Sequence, residues 1–333
     1  MRGKAAVTPD CVERLVTFHL SQVWDLLFSL PALDALRQRW PGARLTAVMR
    51  PALAELVGNS PLVDETLWPG KVSLRGLCSL TRQVRQRRPD LAVCFSQAPF
   101  HFLAVRFSGA RVRAGFGGAL LDSVLTHRVP KDGPPSAANN FRLVESLGCE
   151  APRRTYAGMI EPPAEVHTAI ERRLAELPGT DCRRLVVLAP GASARRSHRQ
   201  WPRERFLDLA AWLARTYGAT VLFAGASPFL TPADDAPESV VDWGGTTSLL
   251  GAAALVQRSR LFVGLDSGMA HLAAAMGAPT VVLFGPTRPE ETGPLCGERE
   301  SVVALRRGDP DCMQQISVEA VQEATARLWA RTQ

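Results

Sequence analysis

Asp266, Ser267, Gly268 and His271 bring a carboxylate, a hydroxyl, a bare backbone position and an imidazole into six consecutive residues. They lie in LFVGLDSGMAHLAAAMGAPTVVLFGP. The apolar run LFVG stops at an Asp-Ser-Gly turn, the small-residue segment SGMAHLAAAMG has helical character, and PTVVLFGP reads as a second buried strand. A strand–turn–helix–strand unit of this kind aims the amide groups of a helix start at whatever sits above the sheet, and that favours phosphate. Ser267 suits a helix N-cap. Gly268 lets a ligand approach the backbone closely. Asp266 would repel phosphate, so it reads as a partner for a sugar hydroxyl or as a residue that holds the loop. His271, four residues past Ser267, shares its helix face; a lone histidine by itself is more often structural.

The rest of the chain supplies the scaffold that such a unit needs. In the first half, strands at 14–20, 43–50, 89–95 and 110–116 alternate with helices at 25–40, 51–58, 74–88 and 139–148, the first of them broken or kinked at Pro31. The stretch from Ala151 to Glu165 is Pro-rich and irregular, and reads as a linker. The alternation then restarts, with strands at 183–191, 219–225 and 239–245 and helices at 201–218 and 247–260, ahead of the unit described above. Gly218 reads as a helix stop, and Thr247 or Ser248 as a cap. The expected architecture is α/β: two Rossmann-like doubly wound domains, 1–160 and 161–316, facing across a cleft. A final helix in 317–333 is expected to pack back on the first domain. In such folds ligands bind beyond the carboxyl ends of the strands. Asp25, Ser193 to Arg199, and Asp266 to His271 all fall there.

Composition narrows the function. The 333 residues suit two domains, and 46% hydrophobic content suits a globular protein. No apolar run approaches the ~20 residues of a membrane span, and the N-terminus has no continuous apolar core after its charge, so a cytoplasmic location is expected. Seven scattered cysteines form no CxxC pair, which points to free thiols rather than zinc or redox chemistry. The net charge is +7, carried by 36 arginines and three lysines. Basic runs such as Arg82 to Arg88 read either as solvated helix faces or as attraction to a nucleotide phosphate or an anionic membrane surface. No nucleic-acid motif accompanies them. Asp309-Pro310-Asp311 mimics a metal motif but sits in a polar segment. Gly115 to Gly118 opens no helix and is not a dinucleotide fingerprint, and Ser267 lacks the GxSxG elbow.

GLDSGMAHLAAAMGAPTVVLFGPTRPEETGP resembles the signature of glycosyltransferase family 9, the ADP-heptose:lipopolysaccharide heptosyltransferases. LVTFHLSQVWDLLFSLPALDALRQRWPGARLTAVMRP, LAPGASARRSHRQWPRERFLDLAAWL and CMQQISVEAV resemble other parts of that family in the same order. The resemblance implies a GT-B fold and inverting transfer from ADP-heptose to a lipid-linked core sugar, with no essential metal or other cofactor. It makes Asp25 the general base for the acceptor hydroxyl, and His271 and Arg199 diphosphate contacts, with Arg195 and Arg196 as spare candidates. Ser193 would add a hydrogen bond and Thr287 would line the nucleotide pocket. The implied partners are a nucleotide-sugar donor and an anionic glycolipid at the inner membrane surface, with no nucleic acid. Two features depart from the family pattern: Trp24 stands where the family has Gly before the Asp, and the short, Pro-rich ASPFLTPADDAPES follows Gly225, where the family carries an acidic nucleoside contact that Asp234 and Asp235 are not expected to replace. These departures leave open a weak or inactive nucleotide-sugar-binding relative, or a different donor or acceptor.

Overall fold

A computed structural model describes residues 11–19, 22–68, 70–133, 136–177, 181–191, 200–295, 302–306 and 312–331. The chain divides into two compact units, Met1–Arg154 and Thr155–Gln333, so the division falls inside the Pro-rich stretch.

The first unit contains β1 (Arg14–Phe18), α1 (Val23–Arg39), β2 (Arg44–Val48), α2 (Pro51–Val57), β3 (Glu65–Leu67) and α3 (Leu74–Gln86). After these come β4 (Leu91–Cys94), α4 (Pro99–Phe107), β5 (Val112–Phe116), β6 (His127–Val129) and α5 (Ser136–Glu145). The strands form one parallel sheet in the order β3-β2-β1-β4-β5-β6. Its central strands are buried on both faces, because helices cover a parallel sheet on both sides. On one face Val16, Phe18, Ala92 and Cys94 meet Leu80 and Val84 of α3 and Phe102 and Val105 of α4.

Of the two expectations at Pro31, a break or a kink, the break does not occur: α1 runs through it as one helix. Pro31 removes one amide donor, but Leu26, Leu27, Leu30, Leu33 and Leu36 are each at most 1% exposed, and their burial outweighs that loss.

The second unit contains α6 (Ala164–Ala175), β7 (Leu185–Ala189), α7 (Arg203–Tyr217), β8 (Thr220–Phe223), β9 (Val240–Asp242) and α8 (Leu249–Arg258). It continues with β10 (Leu261–Leu265), α9 (Gly268–Ala275), β11 (Thr280–Phe284), α10 (Pro289–Thr292), β12 (Val302–Arg306) and α11 (Val318–Arg331). Its parallel sheet runs β12-β11-β10-β7-β8-β9, which repeats the topology of the first unit strand for strand. In both sheets the strand order reverses direction beside the unit's first strand, between β1 and β4 and between β7 and β10, the position where doubly wound sheets take ligands.

Gly264 on β10 sits against Ala189 of β7; a Cβ there would lie 2.8 Å from the Phe262 ring and 3.1 Å from the Ala189 carbonyl oxygen. Gly218 takes the left-handed cap of α7, as its sequence position suggests. Trp201 donates to the Ile316 carbonyl at 2.7 Å, tying the segment before α11 to the start of α7.

The structure places α11 differently from the expectation. Its stripe Val321, Ala324 and Leu328 joins the core of the second unit with Leu209, Leu213, Leu261 and Leu283, and Trp329 stacks on Tyr217 at 4.4 Å. An apolar stripe at this spacing needs a sheet face, and β10 and β11 provide one in its own unit. No helix among the described residues is long and apolar enough to cross a membrane.

Candidate functional site

In the second unit, β10 delivers Asp266 to the carboxyl edge of the sheet, where its amide bonds the Leu283 carbonyl at 3.1 Å. Thr287 and Thr292 donate to Oδ2 of Asp266 at 2.6 and 3.1 Å. Oδ1 faces Nε2 of His271 at 3.7 Å. The His271 ring is buried, and its Nδ1 lies 2.9 Å from the Tyr156 hydroxyl. That hydroxyl also accepts the Leu295 amide at 3.0 Å. Burial raises the Asp266 pKa, but donation from His271, Thr287 and Thr292 together with the charge of His271 outweighs it, and the carboxyl lies below its ordinary value. Asp266 therefore serves as the anchor of a polar cluster that fixes the turns on either side of it.

Ser267 is the N-cap residue of α9, yet its hydroxyl makes no capping bond, and Oγ is buried without a hydrogen-bond partner. By contrast Ser248, not Thr247, caps α8 by accepting the Gly251 amide at 3.1 Å. The first amides of a helix have no acceptor within it. At α9 they are left with Gly268 beside them and an unengaged hydroxyl, an arrangement suited to an oxyanion.

The structure brings Asp266, Ser267, Gly268, His271 and Thr287 together. His271 and Thr287 direct polar contacts at protein groups, which makes them positioning residues in this arrangement. Ser193, Arg195, Arg196 and Arg199 lie outside the described residues, as does Asp309-Pro310-Asp311.

The segment after Gly225 is built as a self-contained loop. Arg203 pairs with Asp234, whose Oδ2 also takes the Thr231 amide and hydroxyl at 2.6 and 3.0 Å. Asp242 accepts the Phe229 and Leu230 amides. The Asp234 carboxyl, held well below the usual range chiefly by Arg203, is thus committed within the loop.

In the first unit Asp25 is the third residue of α1; Gln22, not Asp25, is the N-cap. Half-buried, Asp25 lines a pocket with His19, Phe28, Phe95, Lys131, Asn139 and Asn140. His19 is buried, stacked on Phe95 at 5.2 Å, with Nδ1 3.1 Å from Ser29 Oγ and Nε2 2.9 Å from Thr17 Oγ1. Ser29 spends its proton on the Leu26 carbonyl, so His19 carries its proton on Nδ1 and stays neutral. Burial, with a smaller contribution from His101, pushes its pKa down to about 3. Asn140 donates to the Phe28 carbonyl at 3.0 Å, tying α5 to α1. Trp24, the residue before Asp25, packs edge-on against Phe28 at 5.9 Å.

Sequence reasoning missed His19 and Tyr156. The rule that ligands gather at strand carboxyl ends singles out His19, which directly follows β1. Tyr156 lies in an irregular stretch with no periodic signal, and only folding brings it to His271.

Residues 78–321 match the family model Glycosyltransferase family 9 (heptosyltransferase). The lipooligosaccharide heptosyltransferase 2 of Haemophilus influenzae is 30% identical over 306 residues, covering 87% of this chain and 88% of that one. The solved structure of E. coli ADP-heptose lps heptosyltransferase II superposes with a TM-score of 0.80 at 20% identity, covering 96% of this chain and 99% of that one. E. coli heptosyltransferase WaaC with ADP superposes with a TM-score of 0.76 at 19% identity over 95% and 99%. A family match across both units and similarity along most of the sequence agree with the doubly wound fold: the chain belongs to glycosyltransferase family 9, the heptosyltransferases, and is a glycosyltransferase.

Proposed function

We propose that the protein transfers heptose from ADP-heptose to a core sugar of lipopolysaccharide or a related anionic glycolipid, with inversion at the anomeric carbon. The observation that carries this reading is the open start of α9, where, among the described residues, no side chain caps the first-turn amides and the buried Ser267 hydroxyl has no hydrogen-bond partner, beside the hydrogen-bonded Asp266 cluster. Such a helix start suits a diphosphate. A structural relative described with ADP and curated relatives acting in lipopolysaccharide synthesis support the choice of donor and acceptor.

In this reading Asp25 takes the proton of an acceptor hydroxyl as its oxygen attacks the anomeric carbon from the face opposite the diphosphate. The bond from that carbon to the diphosphate oxygen breaks, and ADP departs with the electron pair. The α9 amides and Arg199 offset the charge that builds on the leaving group, so the step calls for no metal. Trp24 would crowd the acceptor side and select its shape.

The test is ADP release from ADP-heptose with a lipid A–Kdo acceptor, comparing wild type with Asp25→Asn. The turnover of the variant is expected to fall by roughly 10²–10⁴-fold, with ADP affinity little changed. Equal turnover in both proteins, or binding of another nucleotide sugar but not of ADP-heptose, overturns the reading.

A further inference from the structure

Between Thr66 and Leu121 the sequence holds nine basic side chains and one carboxylate, Asp90. That segment carries a net +8, more than the +7 of the whole chain, and the remainder sums to −1. It includes α3 and α4, which pack side by side on one face of the first sheet. Of its arginines, Arg87 is occupied by Glu65, and Arg113 by the Ala110 and Val124 carbonyls. Lys71 just before α3, Arg75, Arg82 and Arg85 along it, and Arg106 on α4 are exposed, and none pairs with a described carboxylate. The spacing 75, 82 and 85 places those arginines on the outward stripe of α3, opposite the buried Leu80 and Val84.

Apolar exposure collects in the same segment. The exposed large hydrophobic side chains among the described residues are Val72, Leu74, Phe107 and Leu120, and all four belong to it. Val72 and Leu74 are 73% and 79% exposed at the start of α3, and Leu120 is 74% exposed in the loop after β5. Both positions follow strand ends, so they lie at the carboxyl edge of the sheet, the edge that also carries Asp25. Cations flanking protruding Val, Leu and Phe side chains suit the headgroup layer of an anionic bilayer, where the charges meet phosphate and the apolar tips reach the acyl boundary.

We propose that the outer face of α3 and α4 docks the protein on an anionic phospholipid bilayer. For its purpose the proposal rests on the reading that the acceptor is a membrane glycolipid; its chemistry stands apart from that reading.

The test is cosedimentation with vesicles of phosphatidylcholine alone and of phosphatidylcholine with phosphatidylglycerol, at low and high salt. Wild type is expected to bind only the anionic vesicles and to release in high salt. Arg75→Gln/Arg82→Gln/Arg85→Gln is expected to bind them about a hundred-fold more weakly, near five-fold per residue. A control removing equal charge from the second unit, Arg172→Gln/Arg215→Gln/Arg327→Gln, is expected to bind like wild type. Matching thermal melts exclude misfolding.

No binding by wild type, equal loss in both triple variants, or tighter binding to duplex DNA than to anionic vesicles overturns the proposal. Turnover on a detergent-dispersed acceptor separates the two readings. If the α3 variant keeps that turnover while losing vesicle binding, the docking face is supported. If every protein lacks turnover while the vesicle pattern holds, the docking face stands and the heptosyl reading fails.

Discussion

The turns that follow β4 and β10 occupy the same place in two sheets of the same topology, and they use it in opposite ways. Leu91 and Leu261 open the two strands, and a histidine follows ten residues later in each, His101 and His271. After β4, the Ser96 hydroxyl accepts the Ala98 amide at 3.0 Å, and Pro99 at the first position of α4 has no amide hydrogen to offer. His101 keeps a buried Nδ1 without a partner, and burial pushes its pKa down to about 4. After β10, Ser267 leaves the amides uncapped, Gly268 occupies the first position of α9, and His271 is held by Tyr156 and Asp266. The topology supplies an edge with helix starts pointing at it. Whether a given start receives an anion depends on which turn residue consumes its donors. At the first turn the donors are consumed and burial holds two imidazoles neutral; at the second a largely buried carboxylate lies below its ordinary pKa and, among the described residues, no side chain caps the helix-start amides.

The largest expected effect exploits that difference through pH. His19 and His101 have folded pKa values of about 3 and 4, below the ordinary 6.5. Their contribution to stability is full above pH 6.5 and is lost as pH falls toward those values, because the unfolded chain takes up protons the folded one refuses. Between those limits the first unit is expected to lose up to ~2.7 kcal/mol per pH unit, two protons' worth. Hydrogen exchange, corrected for intrinsic rates, should show β1 and β4 losing protection in this range. In His19→Gln/His101→Gln the slope should flatten, and an unchanged slope would show that other groups set it.

Asp266→Ala should come next. It strands the Thr287 and Thr292 hydroxyls and the His271 ring, at about 1–3 kcal/mol, and calorimetry is expected to show ADP binding roughly 30-fold weaker. Gly268→Pro makes α9 begin as α4 does. Ser267 is already extended, as a residue before proline must be, so the fold should tolerate it. Loss of one amide donor to a charged ligand is expected to weaken ADP by about ten-fold with little change in Tm; unchanged affinity would place the diphosphate elsewhere. Tyr156→Phe should have the smallest effect on binding, about three-fold, while lowering Tm through the unpaired Leu295 amide. Its effect should not add to that of Asp266→Ala, because the two act through one cluster.

Both α/β halves are legible in the chain because apolar runs, glycine stops and the Asp-Ser-Gly turn are local signals. So is an anion-suited helix start at Ser267 and Gly268, which needs only residue type and spacing; that Ser267 leaves this start uncapped instead of capping it shows only in the fold. The short strands at 65–67, 127–129 and 302–306 are too brief to show a period, and α4 is apolar on too many sides to show a stripe. What the sequence alone determined was therefore the alternation of elements and the chemistry at one turn, since neighbours in the chain set both. Tertiary structure alone decided that His271 serves Asp266, that Tyr156 reaches it from 115 residues away, and that α11 covers its own sheet. Those outcomes depend on which buried polar atoms and apolar stripes find partners after the strands have assembled, and no local pattern encodes that.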